Sequence, residues 1–215
     1  TLLLYKGGER TILVYRGVAN ELDAKKIPWS KLKSKWIYVS ALGGRTDLLK
    51  KILSVAKSKK IKIAWNPGGA ELSFGFLKLL PCFQKADVLN INREEAAKLF
   101  NLPFDNLAEI LRRAKELPCK YTIITDGIRG AYVCCSGQVF HANSYGGKPK
   151  NTTGAGDAFG SGFVSGLILG RDVKDALRLG IWNSGLVVKH MGAKAGIWKR
   201  LPAEKDLNKV KVTLK

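Results

Sequence analysis

Asn151-Thr152-Thr153-Gly154-Ala155-Gly156-Asp157-Ala158-Phe159 sets two glycines and a carboxylate at the start of a long apolar helical pattern. Glycines let a backbone approach a ligand closely. Free amides and the positive end of a helix dipole then favour an anion such as phosphate. Asp157, in the first turn, gains a purpose beside such an anion if it positions and deprotonates a hydroxyl attacking it. The same run would also serve as a plain helix N-cap with packing glycines.

Two other groups follow strand-like runs. Thr125-Asp126-Gly127-Ile128-Arg129-Gly130 comes directly after a β-prone segment, and its glycines would let a nucleotide lie against the turn; a strand-to-hairpin turn needs the same glycines. Asn92-Arg93-Glu94-Glu95 follows an apolar run ending at Ile91. Asn92 and Glu95 would both face the strand end, with Glu95 toward Mg²⁺ or its waters. The alternative is a capping box, in which an Asn cap and a Glu three residues on satisfy each other's amides.

Little else in the composition offers chemistry. There are two histidines, and neither they nor Cys82, Cys119, Cys134 and Cys135 have metal-ligand spacing. Reduced thiols in a cytoplasmic protein are the preferred reading over a disulfide framework. No apolar run approaches the roughly 20 residues that span a bilayer, and Thr1 to Tyr5 is too short for a signal segment, so no membrane association is expected. The net charge of +20 would attract nucleic acid, acidic lipid or phosphorylated metabolites. The lysines are scattered, however, and no RNP, zinc-finger or KH signature accompanies them. A solvated basic surface is preferred, with nucleic-acid binding the less favoured alternative.

The elements that must position these groups can be read from periodicity. Thr1 to Tyr5 and Thr11 to Arg16 read as a hairpin. Strands are then expected at Trp36 to Ala41, Ile61 to Trp65, Ala86 to Ile91 and Tyr121 to Thr125. A hairpin is expected from Ala131 to Cys135 and Gln138 to His141. Helices are expected at Asp47 to Ser58, Glu71 to Leu80, Arg93 to Phe100, Asp105 to Leu117, Gly156 to Leu169 and Val173 to His190. At 215 residues one substantial core is the default. The alternation argues for an α/β fold with a largely parallel sheet flanked by helices, its ligand at the carboxyl ends of the strands.

Taken in order, Asn-x-x-Glu, Thr-x-Gly-x-x-Gly and Thr-Gly-Ala-Gly-Asp resemble the ribokinase-like, or phosphofructokinase-B, family of carbohydrate kinases. The match runs from about Gly8 to Ala195, with Gly8-Glu9-Arg10-Thr11 and Tyr15-Arg16-Gly17 similar to its lid strands. The resemblance implies ATP and Mg²⁺ as cofactors and a small-molecule sugar, sugar acid or nucleoside as phosphoryl acceptor. It implies Asp157 as catalytic base and the amides of Gly154, Ala155 and Gly156 as anion hole. Asn92 and Glu95 would help place Mg²⁺ and the phosphates. Thr125, Gly127, Gly130 and Thr153 would lie at the nucleotide, and Asn183 at the adenine.

It also implies a lid hairpin over residues 1–20 and a catalytic core over 21–215. Tyr15, Arg16 and Asn20 are candidate substrate contacts, Arg16 for an acidic or phosphorylated one. Asn151 stands where the family usually has Asp, which helps hold a monovalent cation in members that use one. A neutral amide still offers an oxygen, so K⁺ is left open, with Gly192 to Gly196 as the other wall of such a site. The family's further N-terminal βα region, which supplies much of the sugar pocket, is not read ahead of the lid hairpin, so the expectation is a fragment, a part supplied by another chain, or a protein that no longer phosphorylates a sugar. The expectation is therefore a phosphoryl-transfer half with an open sheet edge, a route to homo-oligomers. A nucleotide-binding protein without catalysis is the alternative.

Overall fold

The computed structural model describes residues 2–4, 10–12 and 23–215. Tyr15, Arg16 and Asn20 lie outside them, as does most of the expected lid. Within it, β1 (Leu2–Leu4) and β2 (Arg10–Ile12) pair antiparallel, Leu3 opposite Thr11.

The remaining strands form one sheet of seven in simple sequence order. The strands β3 (Trp36–Val39), β4 (Lys62–Trp65), β5 (Val88–Asn92) and β6 (Tyr121–Thr125) run parallel. From β6 onward the sheet turns antiparallel through β7 (Ala131–Cys135), β8 (Gln138–Ala142) and β9 (Val212–Leu214). The sheet is therefore mixed. β7 and β8 are the expected hairpin, closed by Ser136 and Gly137, both at positive φ, as a two-residue hairpin loop requires. β9 was not foreseen, because Val212-Thr213-Leu214 is too short to show a period.

Alternation along the strands sends successive side chains to opposite faces. One face carries Ile63, Trp65, Leu89, Ile91 and Ile124. It packs on α1 (Thr46–Ser58), α3 (Phe76–Phe83), α4 (Arg93–Phe100) and α5 (Leu107–Lys115). The other face carries Ala64, Val88, Ile123 and Val133 and packs on α6 (Ala155–Ile168) and α7 (Val173–Val187). Fully burying one side chain such as Phe163 stabilises by about 1.5–3 kcal/mol, and Phe163 is 0% exposed.

The expected single helix from Glu71 to Leu80 is two. α2 (Gly69–Leu72) ends before Gly75, whose φ of +79° breaks the path, and α3 starts immediately after it. A left-handed residue cannot lie inside a right-handed helix. Glu71 caps the start of α2. Its buried carboxylate accepts from the amides of Leu42 (2.7 Å), Gly44 (2.9 Å) and Gly68 (2.9 Å), tying the loops after β3 and β4 together. A short helix α8 (Glu204–Leu207) precedes β9. Among the described residues, no helix is long and apolar enough to cross a membrane. The four thiols are free; burial pushes those of Cys119 and Cys134 up to about 12.

Candidate active site

α6 begins at Gly154, which has φ +79° and caps the helix without a side-chain hydrogen bond. A Cβ there would collide with the carbonyl of Ala193, so the loop after α7 closes directly on this glycine. The amides of Gly154 and Gly156 have no partner among the described residues, while that of Ala155 makes a long 3.3 Å bond to the Thr152 carbonyl. Two of the three expected anion-hole amides are thus open, and Asp157 stands exposed in the same first turn.

Asn92 and Thr125 end β5 and β6 and are register partners, which brings two of the sequence motifs side by side. Asn92 and Glu95 form the capping box. Asn92 Oδ1 accepts from the Glu95 amide and Glu95 Oε2 from the Asn92 amide, each at 2.8 Å. That leaves Glu95 Oε1 outside the box. Burial outweighs the amide bond and raises the Glu95 carboxyl above its usual range. Among the described residues, no group of three or more His, Cys, Asp or Glu could hold a metal alone. A divalent ion here would need oxygens from a ligand.

The adjacent turns are locked by charge. Arg93 Nη1 donates to Asp126 Oδ2 at 3.0 Å, and both side chains are under 10% exposed. Arg93 Nε also donates to the Phe104 carbonyl at 2.8 Å, and its guanidinium lies over the Phe104 ring. Arg129 donates twice to Asp126, each at 2.8 Å. Burial pushes the Asp126 carboxyl up, but the bonds from Arg129 and Arg93 outweigh it and hold it below the ordinary value. The start of α4 is thereby pinned to the turn after β6.

Between these elements lies a cleft of about 380 Å³. Its walls include Asn92, Thr125, Gly127 and Gly130 on one side and Thr152, Ala155 and Gly156 on the other. In this arrangement an anion on the α6 amides and an extended ligand along the turn after β6 would be continuous.

A family model described as "pfkB family carbohydrate kinase" matches residues 1–200. The chain belongs to the pfkB family. Over 109 residues it is 35% identical to an ATP-dependent 6-phosphofructokinase from Thermoanaerobacterium thermosaccharolyticum, a stretch that is 51% of this chain and 33% of that protein. It is 26% identical over 217 residues to a ribokinase from Lactococcus lactis, covering 99% of this chain and 68% of the relative. The solved structure of an adenosine kinase from Sinorhizobium meliloti superposes with a TM-score of 0.80 at 21% identity, over 89% of this chain and 61% of the other. A ribokinase II from E. coli in complex with ATP and Mg²⁺ does so with a TM-score of 0.73 at 21% identity, over 89% and 65%. These likenesses establish the fold. The chain spans between 33% and 54% of the length of the first three curated relatives it matches.

The pfkB fold does not bring every expected residue to the cleft. Asn183 is fully buried. Its Nδ2 donates to the Ala158 carbonyl (2.8 Å) and Ser161 Oγ (3.3 Å), and its Oδ1 accepts from the Trp198 amide (3.2 Å). It ties α7 to α6 and lies outside the cleft lining. Thr153 and Asn151 do not line the cleft. The Asn151 Oδ1 takes the Thr153 amide at 2.8 Å, while Asn151 Nδ2 and Thr153 Oγ1 are buried without partners. Gly130 has φ +89°, and a Cβ there would collide with the Ala142 carbonyl, so the hairpin requires this glycine whatever else it meets.

Other cleft residues went unread in the sequence: Ser144, Tyr145 and Gly147 after β8, and Ile181, Ser184, Gly185 and Val188 on or just past α7. The signals were present. The four on the α7 side recur at helical spacing, and Tyr145-Gly146-Gly147 joins an aromatic to two positive-φ glycines. Tyr145 stacks on Trp182 at 4.4 Å.

The buried Asp126 charge yields a pH prediction. A carboxyl held below its unfolded value of about 3.9 adds stability above that pH and loses it as pH falls through the folded value. Urea unfolding midpoints measured from neutral pH downward are expected to fall steeply below about pH 4. Asp126→Asn flattens that fall, and lowers stability at neutral pH by about 3–5 kcal/mol because Arg93 loses its buried partner.

Proposed function

We propose that this chain is the phosphoryl-transfer part of an ATP-dependent kinase whose acceptor is a hydroxyl of a sugar, sugar acid or nucleoside. The observation that carries the reading is the pair of open amides at Gly154 and Gly156 beside exposed Asp157, at the rim of a cleft walled by Thr125, Gly127 and Gly130. Phosphoryl transfer has little covalent chemistry for a protein to perform, so positioning and charge stabilisation carry it.

In this reading the nucleotide lies along the turn after β6 and the α7 face, with its terminal phosphate toward the α6 amides. Those amides and the helix dipole stabilise charge developing on the transferred group. Asp157 accepts the acceptor's hydroxyl proton as its oxygen bonds to the γ-phosphorus and the bond to the departing ADP breaks. The donor set fits Mg²⁺ held mainly by the nucleotide's phosphates, with Glu95 Oε1 and Asn92 contributing through water. When bound, the metal supplies charge neutralisation at the phosphates. The relatives named as 6-phosphofructokinase, ribokinase and adenosine kinase support an alcohol acceptor.

We extend the reading to a weak monovalent-cation site at Asn151. Its side-chain oxygen already accepts from the Thr153 amide, which leaves one lone pair, and it carries no negative charge. The buried N–H₂ beside it has no partner among the described residues and offers a cation nothing.

Two measurements follow. Asp157→Asn is expected to lower kcat by about a thousandfold while leaving Mg·ATP affinity by calorimetry unchanged. Binding of Mg·ATP by the parent chain without turnover on any sugar or nucleoside would favour the nucleotide-binding alternative. Replacing K⁺ by tetramethylammonium is expected to leave the rate nearly unchanged, whereas Asn151→Asp makes it rise with K⁺.

A further inference from the structure

Lysines that are scattered along the sequence meet at one end of the fold. The strands β3 to β6 are parallel and adjacent, so the segments that enter them lie side by side. Each carries exposed lysine: Lys33 and Lys35 before β3, Lys60 before β4 and Lys62 as its first residue, Lys85 before β5, and Lys120 before β6. Backbone bonds fix these segments to one another. The Lys62 amide donates to the Lys35 carbonyl (3.0 Å), the Asp87 amide to the Ile63 carbonyl (2.9 Å) and the Tyr121 amide to the Asp87 carbonyl (2.9 Å). With strands about 4.8 Å apart, the row from Lys35 to Lys120 runs about 14 Å. The cleft lies at the opposite ends of β5 and β6, where Asn92 and Thr125 stand.

The charge of this row is not neutralised within the described residues. There, lysine ion pairs join Lys98 to Glu94 and Lys209 to Asp206, both outside the row. The carboxylates within these segments are committed elsewhere: Asp87 Oδ2 accepts from the Ile63 amide at 2.8 Å, and Glu116 accepts from Arg112. Helix dipoles give a purely structural reason for lysines here, since α1, α3 and α5 end beside the row. Each helix C-terminus carries only about half a negative charge, so the three together offset roughly one or two lysines. Two of the ammonium groups are also held down on aromatic rings instead of reaching into solvent. Lys62 Nζ lies 5.4 Å from the Trp36 ring centre, and Lys120 Nζ lies 5.5 Å from that of Tyr121.

We infer that this end of the sheet is a docking surface for single-stranded nucleic acid, bound through its phosphates without regard to sequence. A line of fixed like charges is complementary to a chain polyanion, which carries one negative charge per about 3.4 Å of strand. A bilayer offers a plane instead, and among the described residues none of the large exposed apolar side chains lies in these segments to enter one. The surface is separate from the cleft and does not depend on the kinase reading.

The test is fluorescence anisotropy with a labelled single-stranded RNA of about 20 nucleotides. A Kd of about 1–100 μM is expected near physiological salt. With about four phosphates engaged, log affinity falls against log salt with a slope of about −3, a loss of about fiftyfold between about 50 and 200 mM KCl. The triple variant Lys35→Ala, Lys85→Ala, Lys120→Ala is expected to flatten that slope by about two. A second triple, Lys78→Ala, Lys205→Ala, Lys211→Ala, has the same net charge, removes exposed lysines outside the row and keeps the parent slope. Thermal unfolding verifies that both are folded. No RNA binding at low salt overturns the inference, and so does an equal loss in the two triples, which would assign binding to net charge alone. Vesicles of acidic phospholipid supply the last arm. Loss of vesicle binding in the first triple with RNA binding intact would give the row to a lipid surface and overturn the inference.

Discussion

The closeness of α6 to its neighbours is the constraint on which the site depends. A Cβ at Gly162 would lie 2.7 Å from the Leu179 carbonyl, and one at Gly166 would lie 2.7 Å from the Ala176 Cα. From the other helix, Gly180 meets the Phe159 ring. These glycines let the backbones of α6 and α7 approach far more closely than ordinary side chains allow. Each costs roughly 0.5–1 kcal/mol of helix propensity relative to alanine, which the tight contact and the aromatic packing beneath offset. Asn183 then locks the pair by polar bonds in a place where an apolar side chain would leave the Trp198 amide unpaired. The result is a helix whose N-terminus is held in place, and that N-terminus is the proposed anion site.

The rest of the site is arranged around that fixed end. The sheet contributes two neighbouring strand ends, and the Arg93–Asp126–Arg129 cluster keeps their turns in register with each other. Glu71 performs the corresponding task for the loops after β3 and β4. Charge is thus used internally in a few buried places, while most of the +20 net charge is carried by lysines at the surface.

The parts legible in the sequence are those where the local demand is unusual. Gly154-Ala155-Gly156-Asp157 was readable because its start at Gly154, with positive φ and a close backbone contact, leaves few alternatives to glycine. The parallel strands were readable because each is a short apolar run ended by a turn. The break at Gly75 was missed because the apolar period continues through it, and its positive φ shows only in the folded backbone. The family resemblance implied Asn183 as an adenine contact; its burial depends on tertiary packing that no local pattern encodes. The row from Lys35 to Lys120 is likewise visible only once the strands are adjacent.

The account turns on whether the α6 amides and Asp157 act on one transferring phosphoryl group. The most direct measurement is a crystal structure of the chain with Mg·ADP, aluminium fluoride and an acceptor sugar. The account predicts the fluoride group against the amides of Gly154 and Gly156. It also predicts an Asp157 oxygen about 3 Å from the axial acceptor oxygen. A metal fluoride bound away from those amides, or Asp157 turned out of reach of the axial oxygen, would contradict it.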